Sequence, residues 1–336
     1  MAVPEHPEHQ TVLLQEACAL LVTRPEGIYI DATFGRGGHS RAILQRLGPQ
    51  GRLLAFDRDP EAIESASTLM DPRFSIQHRP FSEFSQALDA LRIEQVDGVL
   101  ADLGVSSPQI DQPERGFSFL RDGPLDMRMD PSQGISAMQW LDQATPNDIE
   151  EVIRDYGEER HARAIAGAIV ARREAAPSEG LPPLERTGQL AELVETTLRR
   201  LGRAREPGHH PATRTFQALR IYVNAELAEL DALLTQAPSR LRPGGRLACI
   251  SFHSLEDRRV KQRFQALSRP QRLARPAGLG RAQFALLQSG QAPEQDEPPS
   301  YRICARERAS SSEAAQNPRA RSAILRVLER CVLEHQ

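Results

Sequence analysis

The chain has 336 residues, 40% hydrophobic and 26% charged, with a formal net charge of −3, so one large domain with an insertion, or two domains, is expected. No apolar run reaches the roughly 18 residues of a membrane span, and Met1-Ala2-Val3-Pro4-Glu5-His6 has neither the basic cap nor the apolar core of a secretory signal. Both observations point to the cytoplasm. The cysteines Cys18, Cys249, Cys304 and Cys331 show no C-x-x-C spacing, which favours reduced thiols over disulfides or a zinc site.

In chain order, residues 11–23 read as a short amphipathic helix. Ile28-Tyr29-Ile30-Asp31 is an apolar strand that opens into Phe34-Gly35-Arg36-Gly37-Gly38-His39 and a helix over 39–47. A second strand, 52–56, ends at Asp57, and Asp59 with Pro60 gives the next helix its N-cap and first position. A short strand near 74–76, a helix around 82–91 and a strand over 96–102 follow. This alternation predicts a parallel, doubly wound sheet.

After residue 109 the alternation stops. A polar loop over 111–134 leads to helical patterns at 136–143, 147–156, 158–174 and 187–201, punctuated by Pro182-Pro183 and Pro207-Gly208. A long helix is then expected over 213–236. Leu241-Arg242-Pro243-Gly244-Gly245-Arg246 reads as a turn into the strand 247–251, so the sheet resumes. Residues 1–110 and 211–336 are thus two parts of one α/β core, and 111–210 is an inserted helical domain. The end, 301–306 and 322–329, reads as an antiparallel pair at the sheet edge. Residues 268–300, rich in Pro, Gly and Gln, are expected to be a mobile loop.

Charge is unevenly spread. From Arg258 to Pro293 there are eight positive charges and no acid, and between Arg199 and Arg220 six arginines meet the single Glu206. Such clusters suit a polyanion surface, though a solvated arginine-rich face has the same composition. Arginine's planar fork tips the reading towards phosphate.

Small residues in Gly35, Gly37 and Gly38 let backbone N–H groups approach a ligand at a helix start. His39 stands where the dinucleotide fingerprint has its third glycine, and alone the loop could equally be a structural turn. Asp57, about twenty residues on, can accept both ribose hydroxyls of a nucleoside, since Asp59 fills the capping role. Phe81 reads as core. Asp102 and Gln109 bracket the loop Ser106-Ser107-Pro108-Gln109. A carboxylate ending a central strand is costly to bury unpaired and therefore points to function.

A bent backbone at Pro108 would expose carbonyls that accept the N–H bonds of an exocyclic base amine. Asp102, Ser106, Ser107 and the Pro108 backbone are the candidates for holding it, with S-adenosylmethionine as methyl donor. The bend loosely resembles the Asp/Asn/Ser-Pro-Pro-aromatic loop of amino methyltransferases, but lacks the second proline and the aromatic. His253, in Ser251-Phe252-His253-Ser254-Leu255-Glu256-Asp257, could orient the base or shuttle a proton; equally, Glu256 and Asp257 cap the following helix around a buried ring. His6, His9, His209 and His210 lack paired ligand spacing, and no metal is expected. A nicotinamide-dependent dehydrogenase is disfavoured by the broken glycine pattern. A non-enzymatic RNA-binding factor remains a second alternative.

Long blocks carry a more specific signal. Asp31-Ala32-Thr33-Phe34-Gly35-Arg36-Gly37-Gly38-His39-Ser40, Asp57-Arg58-Asp59-Pro60, Asp102 to Gln109, Arg115-Gly116-Phe117-Ser118-Phe119, Gly123 to Asp130, Tyr156 to Arg160, His210 to Arg220, Ser251 to Asp257 and Asn317 to Ser322 stand in order. Over nearly its whole length the chain resembles the RsmH (MraW) family of bacterial ribosomal RNA small-subunit methyltransferases. The resemblance implies a class I methyltransferase fold, Rossmann-like and mostly parallel with an antiparallel edge strand, carrying a helical insertion. It implies S-adenosylmethionine as cofactor and methylation of the N4 amine of a cytosine in the decoding centre of 16S rRNA. Cofactor contacts would fall on Gly37, Gly38, His39, Asp57, Phe81, Asp102 and Gln109, which moves Phe81 from core to adenine contact. The implied partner is 16S rRNA in the small subunit or a late assembly intermediate, and a homodimer is compatible with it. Ala32 stands where glycine is common, and 173–207 and 268–300 match poorly.

Overall fold

The structure is a computed structural model and describes residues 11–180, 182–202, 210–269 and 300–332. Seven strands form one sheet: β1 (Ile28–Asp31), β2 (Arg52–Asp57), β3 (Phe74–His78), β4 (Val96–Asp102), β5 (Leu241–Ser251), β6 (Tyr301–Arg308) and β7 (Ile324–Arg330). Their order is β3-β2-β1-β4-β5-β7-β6. The first five pair in parallel, and β7 lies antiparallel between β5 and β6. This is the class I methyltransferase arrangement expected from the sequence, with its antiparallel element at the edge.

The central strands are apolar because both faces are covered. On one face Ile30, Phe56, Val99 and Leu247 pack with α4 (Phe84–Ala90), α11 (Glu226–Arg240) and α12 (Ser254–Leu267). On the other, Tyr29, Leu53, Leu100 and Ile250 pack with α1 (Leu14–Leu21) and α2 (Gly38–Leu44). Along β1, β4 and β5 successive side chains alternate between these cores, as the pleat requires. The chain winds away from β1 in both directions, to β2 and to β4, so a crevice opens at the strands' carboxyl ends.

After α5 (Ser107–Asp111) the sheet is interrupted by α6 (Ala137–Gln143), α7 (Pro146–Gly157), α8 (Ala162–Glu179) and α9 (Thr187–Arg200), built around a separate core that includes Trp140, Ile153, Ile165 and Val194. α10 (Thr213–Val223) adds Phe216 and Leu219 to that core. The single helix expected over 213–236 is therefore two. Asn224, buried between them, turns its side chain to Met127 O at 2.7 Å and Met129 N at 2.8 Å. Ala225 adopts a left-handed φ of 49°, so α11 leaves the insert and lies on the sheet. The expected turn over 241–246 is likewise corrected: it is the bulged start of β5, paired with β4 from Leu241 onward. Except for its ends, the 268–300 loop lies outside the described residues.

Candidate active site

A cavity of about 510 Å³ occupies the crevice and is lined by the last residues of β2 and β4 and by the segments that follow β1 and β5, within the roughly 300–1,000 Å³ usual for small-molecule sites. Its floor at β1 is the glycine loop. Gly37 has φ 74° at the N-cap of α2, a conformation that side chains avoid. At Gly38 a Cβ would run into the Thr11 hydroxyl. Gly38 and His39 reach the cavity wall, whereas Gly37 shapes the turn behind it, against the Phe34 ring.

Asp57 ends β2 on the wall. Its Oδ2 accepts the Gly35 amide at 2.7 Å and its Oδ1 the Asp59 amide at 2.8 Å. Burial raises its pKa to about 6 against those donors. Asp59 caps α3 (Pro60–Ala66) through the Glu61 amide at 3.0 Å, as the sequence suggests. It is also gripped by Gln109 Nε2 at 2.7 Å and Arg115 Nη2 at 3.0 Å. Phe81 follows β3, half-buried, with one side against the sheet core and another on the wall.

Asp102 ends β4. Its amide donates to Thr33 Oγ1 at 2.7 Å, fixing the backbone. Its Oδ2 lies 3.5 Å from His39 Nδ1, and its Oδ1 is buried without a hydrogen-bond partner among the described residues. Burial, then the charges of Asp31 and Glu256, push its pKa well above the usual carboxylate range. Asp31, at the end of β1, is fully buried, bonded by the Ser40 hydroxyl at 2.6 Å and the Thr33 amide at 3.2 Å. Burial raises it to about 6. An acid closing an apolar strand was the signal that could have marked Asp31 as part of this cluster.

The Ser106–Gln109 segment departs from expectation. It is the N-cap and first turn of α5, and the Pro108 carbonyl already accepts the Gln112 amide at 2.9 Å. Ser106 and Gln109 line the cavity; Ser107 and Pro108 do not. Ser107 instead receives the Arg319 guanidinium on its hydroxyl. Gln109 is buried, with Oε1 accepting the Ser106 amide at 2.9 Å and Nε2 bound to Asp59. The proline backbone is thus not the acceptor that the sequence suggested.

His253 also moves. It caps α12, with Nε2 3.2 Å from Glu256 Oε1, while Glu256 Oε2 accepts the Phe252 amide at 2.8 Å. Glu256 caps the helix as one of the two readings has it, whereas the Asp257 carboxylate pairs with Arg326 at 2.7 and 3.0 Å. Glu256 lines the cavity and His253 does not. Burial opposes the Glu256 charge, but His253 and Arg220 outweigh it and hold its pKa below the ordinary value. Glu226, His253 and Glu256 bring potential metal ligands within 4.8 Å of one another. However, Arg220 clasps Glu226 through two bonds of 2.7 and 2.8 Å and supplies the positive charge there.

The wall is rich in carboxylates and bears no cysteine among the described residues. Cys18 and Cys249 are buried in the two cores, and burial pushes both thiols to about 12. Sequence reasoning did not single out Arg115 or Arg319 for this site. Arg115 reaches it from the insert, bonding Asp59, Glu61 Oε1 at 3.1 Å and Met129 O at 2.9 Å.

A family model described as the MraW methylase family matches residues 6–331. The chain is 58% identical over 323 residues to the protein named Ribosomal RNA small subunit methyltransferase H of Ralstonia pickettii (strain 12D). It is 56% identical to the one so named in Ralstonia nicotianae and 54% to that of Burkholderia vietnamiensis. Each match covers 96% of this chain and 97% of the relative.

Proposed function

We propose, because this chain belongs to the MraW methylase family, that it transfers a methyl group from S-adenosylmethionine to the N4 amine of a cytosine in the decoding centre of 16S rRNA. The substrate is the small ribosomal subunit or a late intermediate in its assembly. The observation that carries the choice of atom is the chemistry of the wall. Methylating a pyrimidine ring carbon through a covalent adduct needs an activated nucleophile such as a thiolate, and the wall offers carboxylate oxygens instead. An exocyclic amine needs acceptors for its N–H bonds, and the unpartnered Oδ1 of Asp102 is one.

The cavity fits the donor. Bound there, S-adenosylmethionine supplies an electrophilic methyl on a sulfonium, and a carboxylate-rich wall favours a positive centre. Asp57, held by two backbone amides, turns its remaining acceptor capacity to the ribose. Phe81 covers the adenine, and Gly38 and His39 bound the methionyl end, on the turn that Gly37 permits. Gln109 acts through Ser106 and Asp59, keeping the two sides of the cavity in register.

Asp102 accepts an N–H of the amine and, with its raised pKa, is suited to take the proton released when the new N–C bond forms. Ser106 offers a second polar contact. Ser107, Pro108 and His253 shape the α5 and α12 starts around them. Proximity and orientation supply most of the rate. The cytosine must leave its stack to reach the cavity, and the helical insert meets the surrounding RNA.

The test is mass mapping of small-subunit RNA from a strain lacking this protein, after incubation with the protein and labelled donor. Label on the exocyclic nitrogen of one cytosine is expected. Label on a ring carbon or a ribose would overturn the assignment.

A further inference from the structure

The segment joining β6 to β7 crosses the mouth of the cavity. It contains α13 (Ser311–Gln316) and the turn Pro318–Ser322, and Glu313 pins it by accepting the Leu13 amide at 2.7 Å. Asn317, Arg319 and Ser322 line the cavity from this side. Asn317 Oδ1 accepts the Arg319 amide at 3.1 Å, fixing the backbone from which the guanidinium reaches.

The other arginines on the wall have partners of their own: Arg58 bonds the Asn224 carbonyl at 2.6 Å and Arg79 meets Glu83 at 3.6 Å. Arg36 meets Glu61 at 2.9 Å and Arg220 meets Glu226 at 2.7 Å. Arg319 has the neutral Ser107 hydroxyl and, at 3.6 Å, the Asp111 carboxylate, which is 66% exposed. Its own side chain is 32% exposed, so one edge of a rigid donor fork is open to a ligand. Burial lowers its pKa from the ordinary arginine value, a cost that a fixed anion would offset.

Position decides which anion. Asp57 and Phe81 mark the β2 end of the cavity and the glycine loop the β1 end, while Arg319 touches Ser107, beyond the end of β4. The proposed function places the acceptor on that side, beyond Asp102. We propose that Arg319, steadied by Asn317, grips a backbone phosphate of the RNA nucleotide whose base enters the cavity. This rests on the reading of the site as an RNA methyltransferase. Phosphate contacts position a nucleic acid without reading its sequence, so Arg319 is a positioning residue: it sets where the base hangs and leaves its identity to the cavity.

The experiment uses the full chain, labelled donor and small subunits from a strain lacking the methylation. Arg319→Gln is expected to raise the KM for subunits about tenfold. It should also reduce the log–log salt slope of subunit binding by about 1. Donor Kd by calorimetry should stay within about twofold. Arg319→Lys, which keeps the charge without the fork, should recover much of the salt slope and part of the KM.

An unchanged subunit KM and salt slope in Arg319→Gln overturns the proposal. So does a tenfold loss of donor affinity, which would assign the guanidinium to the donor's carboxylate. Wild-type protein that leaves the subunits unlabelled would overturn the reading of the activity itself, independently of any variant.

Discussion

Asp59 and Gln109, fifty residues apart in the chain, share a buried hydrogen bond of 2.7 Å. The acid that starts the helix behind the nucleoside end of the cavity is thereby tied to the first helical turn beyond β4. Arg115 closes the same knot from the insert, so the proposed donor and acceptor sides rest on one carboxylate.

Breaking that knot from the insert side should be costly. Arg115→Met leaves Asp59 buried without its bidentate cation and the Met129 carbonyl without its donor. A loss of about 3 kcal/mol is expected, read as a lower midpoint in urea with the slope unchanged. Lysine should not restore it fully, because a point charge cannot span Asp59, Glu61 and the carbonyl together.

At Asp102 stability and activity should separate. Burial and its acidic neighbours disfavour its charge, so the folded protein binds that proton more tightly than the unfolded chain does. Its favourable contribution is complete at pH values below the unfolded pKa and is lost as pH rises through the higher folded value. Asp102→Asn should therefore melt roughly 2 °C or more above wild type at pH 7.5 without donor. That gap should close in acid, while methyl transfer falls about 100-fold. A variant melting below wild type at neutral pH would contradict the sign.

Asp57→Ala should weaken donor binding by about tenfold or more in calorimetry, since it removes a charged acceptor held towards the cavity. Unchanged affinity would remove Asp57 from the donor site.

Gly157→Ala tests the insert alone. A Cβ there would stand 2.7 Å from the Arg214 carbonyl, where α7 and α10 cross. The helices must part, at a cost of about 1–3 kcal/mol. Hydrogen exchange should quicken in α7 and α10 while β1, β2 and β4 keep their protection. Uniform loss across the sheet would mean that the two cores open together.

What the sequence made legible was what short-range chemistry decides. The end of β4 follows from the apolar run Val99-Leu100-Ala101 closed by Asp102. The Asp59-Pro60 helix start and the capping role of Glu256 follow from residues two to four apart. What escaped depends on distant partners. The break between α10 and α11 is dictated by Asn224 reaching a loop about a hundred residues earlier, since its partners are 95 and 97 residues away. The Arg319–Ser107 contact spans 212. The Pro108 bend was misjudged because a proline after two serines suits an exposed turn and a first helical turn equally; the Gln112 amide decided between them.

The placement of β7 bears on how the molecule is made. Of the seven strands it leaves the ribosome last, yet its seat is between two strands synthesised earlier, β5 and β6. During translation the facing edges of those neighbours stay unpaired until the closing strand docks, and Asn317 and Arg319 stand on the segment that leads into it. A nascent chain stalled before residue 324 would carry the glycine loop, Asp57 and Asp102 but an unfinished rim, which ties the birth of the binding cleft to the completion of synthesis.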